Sequence, residues 1–84
     1  MDQQTPQRQE PAIETALRTL FATLLEVDPD TVGDDDDLFE LGGDSLLVIK
    51  LVARIRRTLS RELSPGDVFD HPTVASLARF LDHA

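Results

Sequence analysis

Ser45 is the side chain whose setting in the sequence is best suited to chemistry. It follows two glycines and an aspartate in Leu-Gly-Gly-Asp-Ser-Leu, residues 41–46. Asp44 fits the N-cap of a helix that begins at Ser45, because its carboxylate can accept a hydrogen bond from a first-turn amide. The serine hydroxyl would then face solvent beside amides without intrahelical partners, where the helix dipole favours an anion such as a phosphate ester.

The residues around Ser45 also leave a simpler interpretation open. Gly42 and Gly43 allow the backbone to turn sharply and leave the approach to the serine uncrowded. The Asp44 carboxylate, however, opposes an anion at the same helix end. Serine is common at helix starts, so Ser45 can equally be a residue that only caps the helix.

The helix that follows Ser45 is predicted to be apolar on two sides. At 3.6 residues per turn, one apolar stripe contains Val48, Leu51, Val52, Ile55 and Leu59. The opposite side contains Leu46, Ile49 and Ala53, bordered by Lys50, Arg56 and Arg57. A small bundle has few elements to cover a second face, so we expect an exposed docking surface formed by Leu46, Ile49, Lys50 and Ala53. The alternative is that the N-terminal segment or the long loop before Ser45 covers this side.

Residues 43–46 also spell the Gly-Asp-Ser-Leu motif of the GDSL esterases. Such an enzyme needs a strand before the serine, a general base and oxyanion donors on a larger fold. Here a loop precedes Ser45, and neither His71 nor His83 lies in an Asp-x-x-His arrangement. The nucleophile-elbow pattern also fails, because Leu47 stands where that pattern requires glycine. A hydrolase is therefore disfavoured.

The acidic segment before Ser45 raises the question of a calcium site. Asp28, Asp30 and Gly33 match positions 1, 3 and 6 of an EF-hand loop. Val32 and Phe39 occupy positions 5 and 12, so two ligands fail, including the bidentate one. We expect no metal site here and interpret residues 34–37 as a solvated turn.

Composition restricts the class of protein. The chain of 84 residues has room for one small domain, and it has no cysteine for a disulfide or a thiolate metal site. No apolar stretch approaches the roughly 20 residues of a membrane span, and the polar N-terminus lacks a signal region. We therefore expect a cytoplasmic monomer that does not bind membranes.

The net charge of −8 is unevenly distributed along the chain. Every charged residue in 26–44 is acidic, and every charged residue in 50–61 is basic. The overall acidity disfavours nucleic-acid binding, which needs a dominant basic surface. The basic cluster indicates either a solvated helix face or a patch that meets an acidic partner.

Periodicity and helix-breaking residues predict an all-α protein. Residues 1–10 are polar and rich in Gln and Pro, so we expect a disordered lead before a domain spanning residues 11–84. Three main helices, over residues 11–26, 45–60 and 72–82, and one short helix over residues 65–69 would form a small four-helix bundle. The connection over residues 27–43 needs anchors and can contain a single turn at residues 38–41. The candidate anchors are Val27, Val32, Leu38, Phe39 and Leu41.

Two separated segments resemble a known family. Residues 37–46, Asp-Leu-Phe-Glu-Leu-Gly-Gly-Asp-Ser-Leu, closely resemble the attachment-site motif of phosphopantetheine-binding carrier proteins. With the continuation Leu-Val-Ala-Arg-Ile at residues 51–55, the chain is most similar to peptidyl carrier proteins of nonribosomal peptide synthesis. Residues 68–78 resemble the start of that family's last helix. The resemblance extends over about residues 13–81.

The resemblance implies a bundle of the acyl or peptidyl carrier type, in which Ser45 receives 4′-phosphopantetheine from coenzyme A and Asp44 flanks it. A phosphopantetheinyl transferase using magnesium would attach the arm, whose thiol would hold an aminoacyl or peptidyl thioester. The other partners would be an adenylating or acyl-loading enzyme and downstream condensing, tailoring or thioesterase enzymes. In the family such partners contact the positions of Leu46, Ile49 and Lys50. The carrier itself would not be an enzyme.

Alternatives remain open at the level of sequence. Peptidyl carriers often have His before the serine, whereas Asp44 is the residue usual in acyl carriers of fatty-acid and polyketide pathways. An acyl carrier is therefore the alternative class, and an unmodified helical interaction module is a more remote one. Because the chain starts at Met and stops soon after the last predicted helix, we expect a free-standing carrier, with a part excised from a larger synthetase as the alternative.

Overall fold

The computed structural model describes residues 9–83, and within this part of the chain all regular structure is helical. The four helices are α1 (Gln9–Leu25), α2 (Ser45–Leu59), α3 (Pro65–Asp70) and α4 (Val74–His83). A short 3-10 turn, Pro29–Thr31, interrupts the connection between α1 and α2. The predicted all-α bundle of three main helices and one short helix is confirmed.

Helix α1 begins two residues earlier than predicted, at Gln9. Pro11 is its third residue, a position where the missing amide would have no intrahelical partner. Of the predicted disordered lead, residues 1–8 lie outside the described residues, and the remaining two belong to α1. The helix ends as predicted, because Glu26 adopts a left-handed φ of 62°. The amide of Val27 then donates to the carbonyl of Ala22 at 3.0 Å, which closes the last turn.

The core is a single cluster to which all four helices and the connection contribute. The apolar stripe predicted for α2 is buried at Val48, Leu51, Val52 and Ile55, whereas Leu59 is half-buried. The largest fully buried side chains of the core are Phe21, Leu17, Leu38, Leu51, Ile55, Leu77 and Leu81. The buried apolar area of these residues is the main stabilising contribution to a domain of this size.

The long connection is anchored by buried side chains, largely at the predicted positions. Val32 and Leu38 are buried, and Phe39 and Leu41 are half-buried against the core. Val27 is 43% exposed, so its prediction as an anchor is wrong. Its amide closes the end of α1, and this backbone role, rather than burial of its side chain, fixes its position.

Arg18 of α1 holds the same connection from the side of the first helix. Its Nε donates to the carbonyl of Val32 at 3.1 Å, and its guanidinium also pairs with the Asp34 carboxylate. The Asp34 carbonyl accepts the amide of Ala75 at 3.0 Å, near the start of α4. Asp34 therefore joins α1 and α4 through two different groups.

Helix α4 begins at Val74, two residues later than predicted. Thr73 acts as its cap, because Thr73 Oγ1 accepts the amide of Ser76 at 3.1 Å and Ser76 Oγ accepts the amide of Thr73 at 3.2 Å. Pro72 consequently precedes the cap instead of opening the helix. The carbonyl of Pro72 accepts the amide of Leu38 at 2.8 Å, which ties the start of α4 to the connection.

Helix α3 is short and is fixed by its own cap. Ser64 and Asp67 form a reciprocal capping box, with Pro65 at the first helical position. The helix extends to Asp70, one residue beyond its predicted end at Phe69. Within residues 9–83, none of the helices combines the length and the apolar character that crossing a membrane requires.

Candidate functional site

Asp44 builds the start of α2 as the sequence predicts. Its side chain accepts the amide of Leu47 at 2.9 Å, and its carbonyl accepts the amide of Val48 at 3.0 Å. Within residues 9–83, the amides of Ser45 and Leu46 donate no hydrogen bond. The carboxylate is thus engaged by a backbone amide of the first turn, while two amides next to the serine remain available to an anion.

The turn before α2 depends on its two glycines for different reasons. A helical turn over residues 38–41, as predicted, is closed by the amide of Gly43, which donates to the carbonyl of Leu38 at 3.0 Å. Gly42 has a φ of +114°, a conformation that L side chains rarely adopt, and a Cβ there would meet no atom within 4 Å. A Cβ on Gly43 would lie 3.0 Å from Leu38 Cγ and from the Leu38 carbonyl oxygen. Gly42 therefore supplies the turn, and Gly43 lets the turn pack against Leu38.

Ser45 is exposed in the first turn of α2. Its hydroxyl makes no hydrogen bond to any residue in the described part of the chain. A capping serine would accept a first-turn amide with its side chain, but here Asp44 has that role. The hydroxyl is therefore accessible for modification and is not needed to hold the helix.

The second apolar side of α2 is open to solvent. Leu46 is 60% exposed and Ile49 is 57% exposed, and Lys50 and Ala53 are exposed beside them. We call these four residues the docking strip. The long connection does not cover it; the N-terminal residues 1–8, the other predicted cover, lie outside the described residues.

Helix α3 contributes an aromatic residue that sequence reasoning missed. Phe69 stacks on Phe39 of the turn before α2, with ring centroids 5.1 Å apart and planes 4° apart, yet Phe69 remains 47% exposed. The stack brings an exposed apolar side chain of α3 next to the segment that carries Ser45. Phenylalanine is usually buried, and its neighbour Val68 on this six-residue helix is indeed buried. The sequence therefore gave little indication that Phe69 is exposed.

The carboxylates of the acidic connection close backbone turns. Asp28 accepts the amide of Asp30 at 2.9 Å, and Asp36 accepts the amide of Gly33 at 2.8 Å. Asp37 likewise accepts the amide of Phe39 at 2.8 Å, at the start of the turn that precedes α2. The expectation of a merely solvated turn at residues 34–37 is therefore too simple. In the described part of the chain, no cluster of three or more potential ligands is arranged to hold a metal ion.

The two histidines belong to the α4 side of the bundle. The ring of His71 stacks on Phe80 with centroids 4.9 Å apart, and His83 Nδ1 lies 2.8 Å from the carbonyl oxygen of Arg79. The all-helical fold also provides no strand before Ser45 over residues 9–83. An esterase would need both that strand and a base beside the serine.

Comparison with known proteins gives one consistent family. The family described as "Phosphopantetheine attachment site" matches residues 15–81, which is more than half of the chain. A dimodular nonribosomal peptide synthase of Bacillus subtilis (strain 168) is 49% identical over 71 residues, which is 84% of this chain and 3% of that protein. The chain spans between 1% and 6% of the length of curated relatives of this kind.

Two solved structures extend the comparison. A free-standing peptidyl carrier protein from Acinetobacter baumannii superposes with a TM-score of 0.82 at 27% identity, covering 88% of this chain and 92% of that one. The A-PCP structure of McyG complexed with phenylalanyl-adenylate gives a TM-score of 0.77 at 35% identity, over 94% of this chain and 12% of that one. The helical fold and the matched segment, which includes the turn before α2, both point to the same family. The chain belongs to the phosphopantetheine attachment-site family of carrier proteins, and within it is similar to the peptidyl carriers of nonribosomal peptide synthases.

Proposed function

We propose that Ser45 is the attachment point of 4′-phosphopantetheine and that this chain carries an aminoacyl or peptidyl group between enzymes of a nonribosomal peptide pathway. The observation that carries the proposal is the exposed Ser45 hydroxyl in the first turn of α2. It lies within the segment that matches the phosphopantetheine family. The bound arm would supply a thiol that holds its cargo as a thioester.

The attachment step needs an accessible oxygen and room for a phosphate. Ser45 Oγ would attack the β-phosphorus of coenzyme A, the bond from that phosphorus to the 3′,5′-ADP oxygen would break, and the hydroxyl proton would pass to a base of the transferase. The product is a phosphodiester on Ser45 and free 3′,5′-ADP. The amides of Ser45 and Leu46 are then well placed to stabilise the new anion.

The Asp44 carboxylate would repel that anion less than a free carboxylate would. The carboxylate accepts the Leu47 amide, so part of its charge is already compensated by the helix end. Because the same contact caps α2, the serine side chain has no structural role to lose when it is modified. Asp44 caps the helix and Ser45 does not, which supports the assignment of the serine as the modified residue.

The docking strip of Leu46, Ile49, Lys50 and Ala53 is proposed to contact the partner enzymes. Exposed apolar side chains beside a charged border suit repeated, reversible association. The proposed partners are a phosphopantetheinyl transferase, an adenylating or acyl-loading enzyme, and condensing, tailoring or thioesterase enzymes downstream. The adenylating partner has support from the A-PCP structure of McyG, to which the chain is similar.

A peptidyl cargo is favoured over an acyl cargo of a polyketide or fatty-acid pathway. Asp44 alone points toward acyl carriers, but the chain-wide similarity is to nonribosomal peptide synthases. In this role the chain has no catalytic residue of its own, and the chemistry takes place in the active sites of its partners. Its cytoplasmic location and monomeric state stay predictions.

The proposal is tested by incubation with coenzyme A, magnesium and a broad-specificity phosphopantetheinyl transferase, followed by intact-mass analysis. We expect the mass to rise by one phosphopantetheinyl group in the native chain and to stay unchanged in Ser45→Ala. Circular dichroism should show the same helix content for both proteins, because the hydroxyl makes no hydrogen bond within residues 9–83. An unmodified native chain would refute the proposal.

A further inference from the structure

Three basic side chains of α2 form one stripe along the helix. Lys50, Arg54 and Arg57 follow one another at i, i+4 and i+7, a spacing that places them on the same side of a helix. Lys50 and Arg57 are exposed and Arg54 is half-buried. We call these three residues the basic stripe; it shares Lys50 with the docking strip and runs beside Leu46.

The basic stripe is not used inside the domain. Arg56, which lines one depression with Arg57 and Glu62, pairs with Glu62, with Nε and Oε1 3.4 Å apart. Arg61 donates to the carbonyl of Leu81 at 2.5 Å. Within residues 9–83, by contrast, the basic stripe makes no ion pair. Three cationic groups in a chain of net charge −8 therefore remain for an external anion.

A groove between α1 and α2 lies beside Lys50 and Arg54, the first two residues of the basic stripe. Its volume is about 300 Å³, and its walls include Leu24 of α1 and Leu46, Leu47, Lys50 and Arg54 of α2. Glu26, which follows the end of α1, and Asp44, at the start of α2, also line it. The groove is thus acidic at the first turn of α2, cationic one to two turns further on, and apolar between.

We propose that the partner surface that binds the docking strip is itself acidic, with carboxylates that meet Lys50 and Arg54 beside the groove and Arg57 one turn further along α2. The inference rests on the proposed carrier function and adds the chemistry and the orientation of the partner. An apolar side chain of the partner would enter the groove beside Leu46 and Leu47, and its carboxylates would lie over the basic stripe. Partners with a basic surface would instead meet unfavourable charge at this position.

A protein is favoured over a nucleic acid as the occupant. The basic stripe has only three charges and adjoins exposed leucine and isoleucine, which a phosphate backbone cannot use. The acidic connection, which includes Asp35, Asp36 and Glu40, would repel a long polyanion but not a short acidic helix. Charge complementarity combined with apolar contact therefore points to a folded partner.

The test uses two synthetic amphipathic helical peptides that differ only in charge. Both have leucines along one face; one has glutamates beside that face and the other has lysines at the same positions. Binding to the ¹⁵N-labelled chain is followed by amide chemical shifts in 50 mM and 500 mM salt. We expect the glutamate peptide to shift amides of residues 46–57 and to bind less tightly at high salt, because surface charges are screened. We expect the lysine peptide to leave those amides unchanged.

Two charge reversals locate the contact. Arg57→Glu lies in the basic stripe, whereas Arg79→Glu replaces an exposed residue of α4 and changes the net charge by the same amount. We expect Arg57→Glu to weaken the glutamate peptide about three- to tenfold and Arg79→Glu to leave its affinity unchanged. Equal weakening by both variants, or no binding of the glutamate peptide, would overturn the inference. So would equal shifts of α2 amides by the lysine peptide.

A nucleic-acid occupant and a failure of the proposed function are distinguished in the same samples. A single-stranded DNA oligonucleotide that binds α2 as tightly as the glutamate peptide would contradict a protein-specific stripe. Loading of Ser45 by the transferase is measured separately by mass. Normal loading without peptide binding refutes only the acidic-partner inference, whereas peptide binding without loading refutes the carrier function.

Discussion

Ile49 and Ile55 lie on the same helix and provide a matched test of its two apolar sides. Ile49 is 57% exposed and Ile55 is fully buried. Replacing isoleucine by alanine removes three carbon atoms at either site. At Ile55 the lost burial amounts to about 2–3 kcal/mol at roughly 0.8 kcal/mol per buried carbon, and the cavity left behind raises the total to about 2–5 kcal/mol.

At Ile49 the same change should have little effect on stability. More than half of the residue is already in solvent, so about 1 kcal/mol of burial is lost at most. Alanine also has a helix propensity several tenths of a kcal/mol better than that of isoleucine, which offsets part of this loss. We therefore expect a net change within about 0.5 kcal/mol for Ile49→Ala.

The assay is urea unfolding followed by circular dichroism, with thermal unfolding as a second measurement. We expect Ile55→Ala to lower the midpoint temperature by about 10 °C or more, since 1 kcal/mol corresponds to about 4–8 °C in a domain of this size. Ile49→Ala should unfold like the native chain. If the two variants lost similar stability, the docking strip would be part of the core and the two-sided description of α2 would be wrong.

The remaining predictions concern the connection and the strip. Arg18→Ala should lower the free energy of unfolding by about 1–2 kcal/mol, because the Val32 carbonyl and the Asp34 carboxylate both lose their donor. Asp34→Asn should lower it by less than about 1 kcal/mol, because it removes only the exposed ion pair. Gly42→Ala should cost about 1–3 kcal/mol from backbone strain alone, since its Cβ would meet no atom; a neutral effect in urea unfolding would contradict the turn geometry. Leu46→Asp should slow transfer between partner enzymes without changing the melting temperature; a large loss of stability would instead place Leu46 in the core.

Features set by local interactions could be predicted from the sequence. The two sides of α2 follow from a period of 3.6 residues, and the Asp44 cap depends on residues no more than four positions away. The same holds for the capping box of Ser64 and Asp67. Each of these contacts joins residues a few positions apart, so a short window of sequence contains both partners.

The start of α4 shows two local signals in competition. Pro72 is a good first helical residue, yet Thr73 and Ser76 form a reciprocal cap one position later. The cap determines the helix start, and the carbonyl of Pro72 is instead used by the amide of Leu38. That contact joins residues 38 and 72, which are too far apart for a short window of sequence to reveal it.

Other parts of the site depend on such distant contacts. Arg18 reaches Val32 and Asp34, fourteen and sixteen residues away, and Phe39 stacks on Phe69. Sequence periodicity identifies neighbours within one element, but it does not show which loop residue meets which helix. The exposed hydroxyl of Ser45 was therefore predictable, whereas the packing that holds its turn in place was not.

The most direct test of Ser45 as the modified residue is to locate the modification on the loaded chain by fragmentation mass spectrometry. We expect a single phosphopantetheinyl group on the peptide that contains Ser45, and none on peptides that contain Ser60, Ser64 or Ser76. A group on one of these other serines, or loading that persists in Ser45→Ala, would contradict the central claim that Ser45 is the tether of a carrier protein.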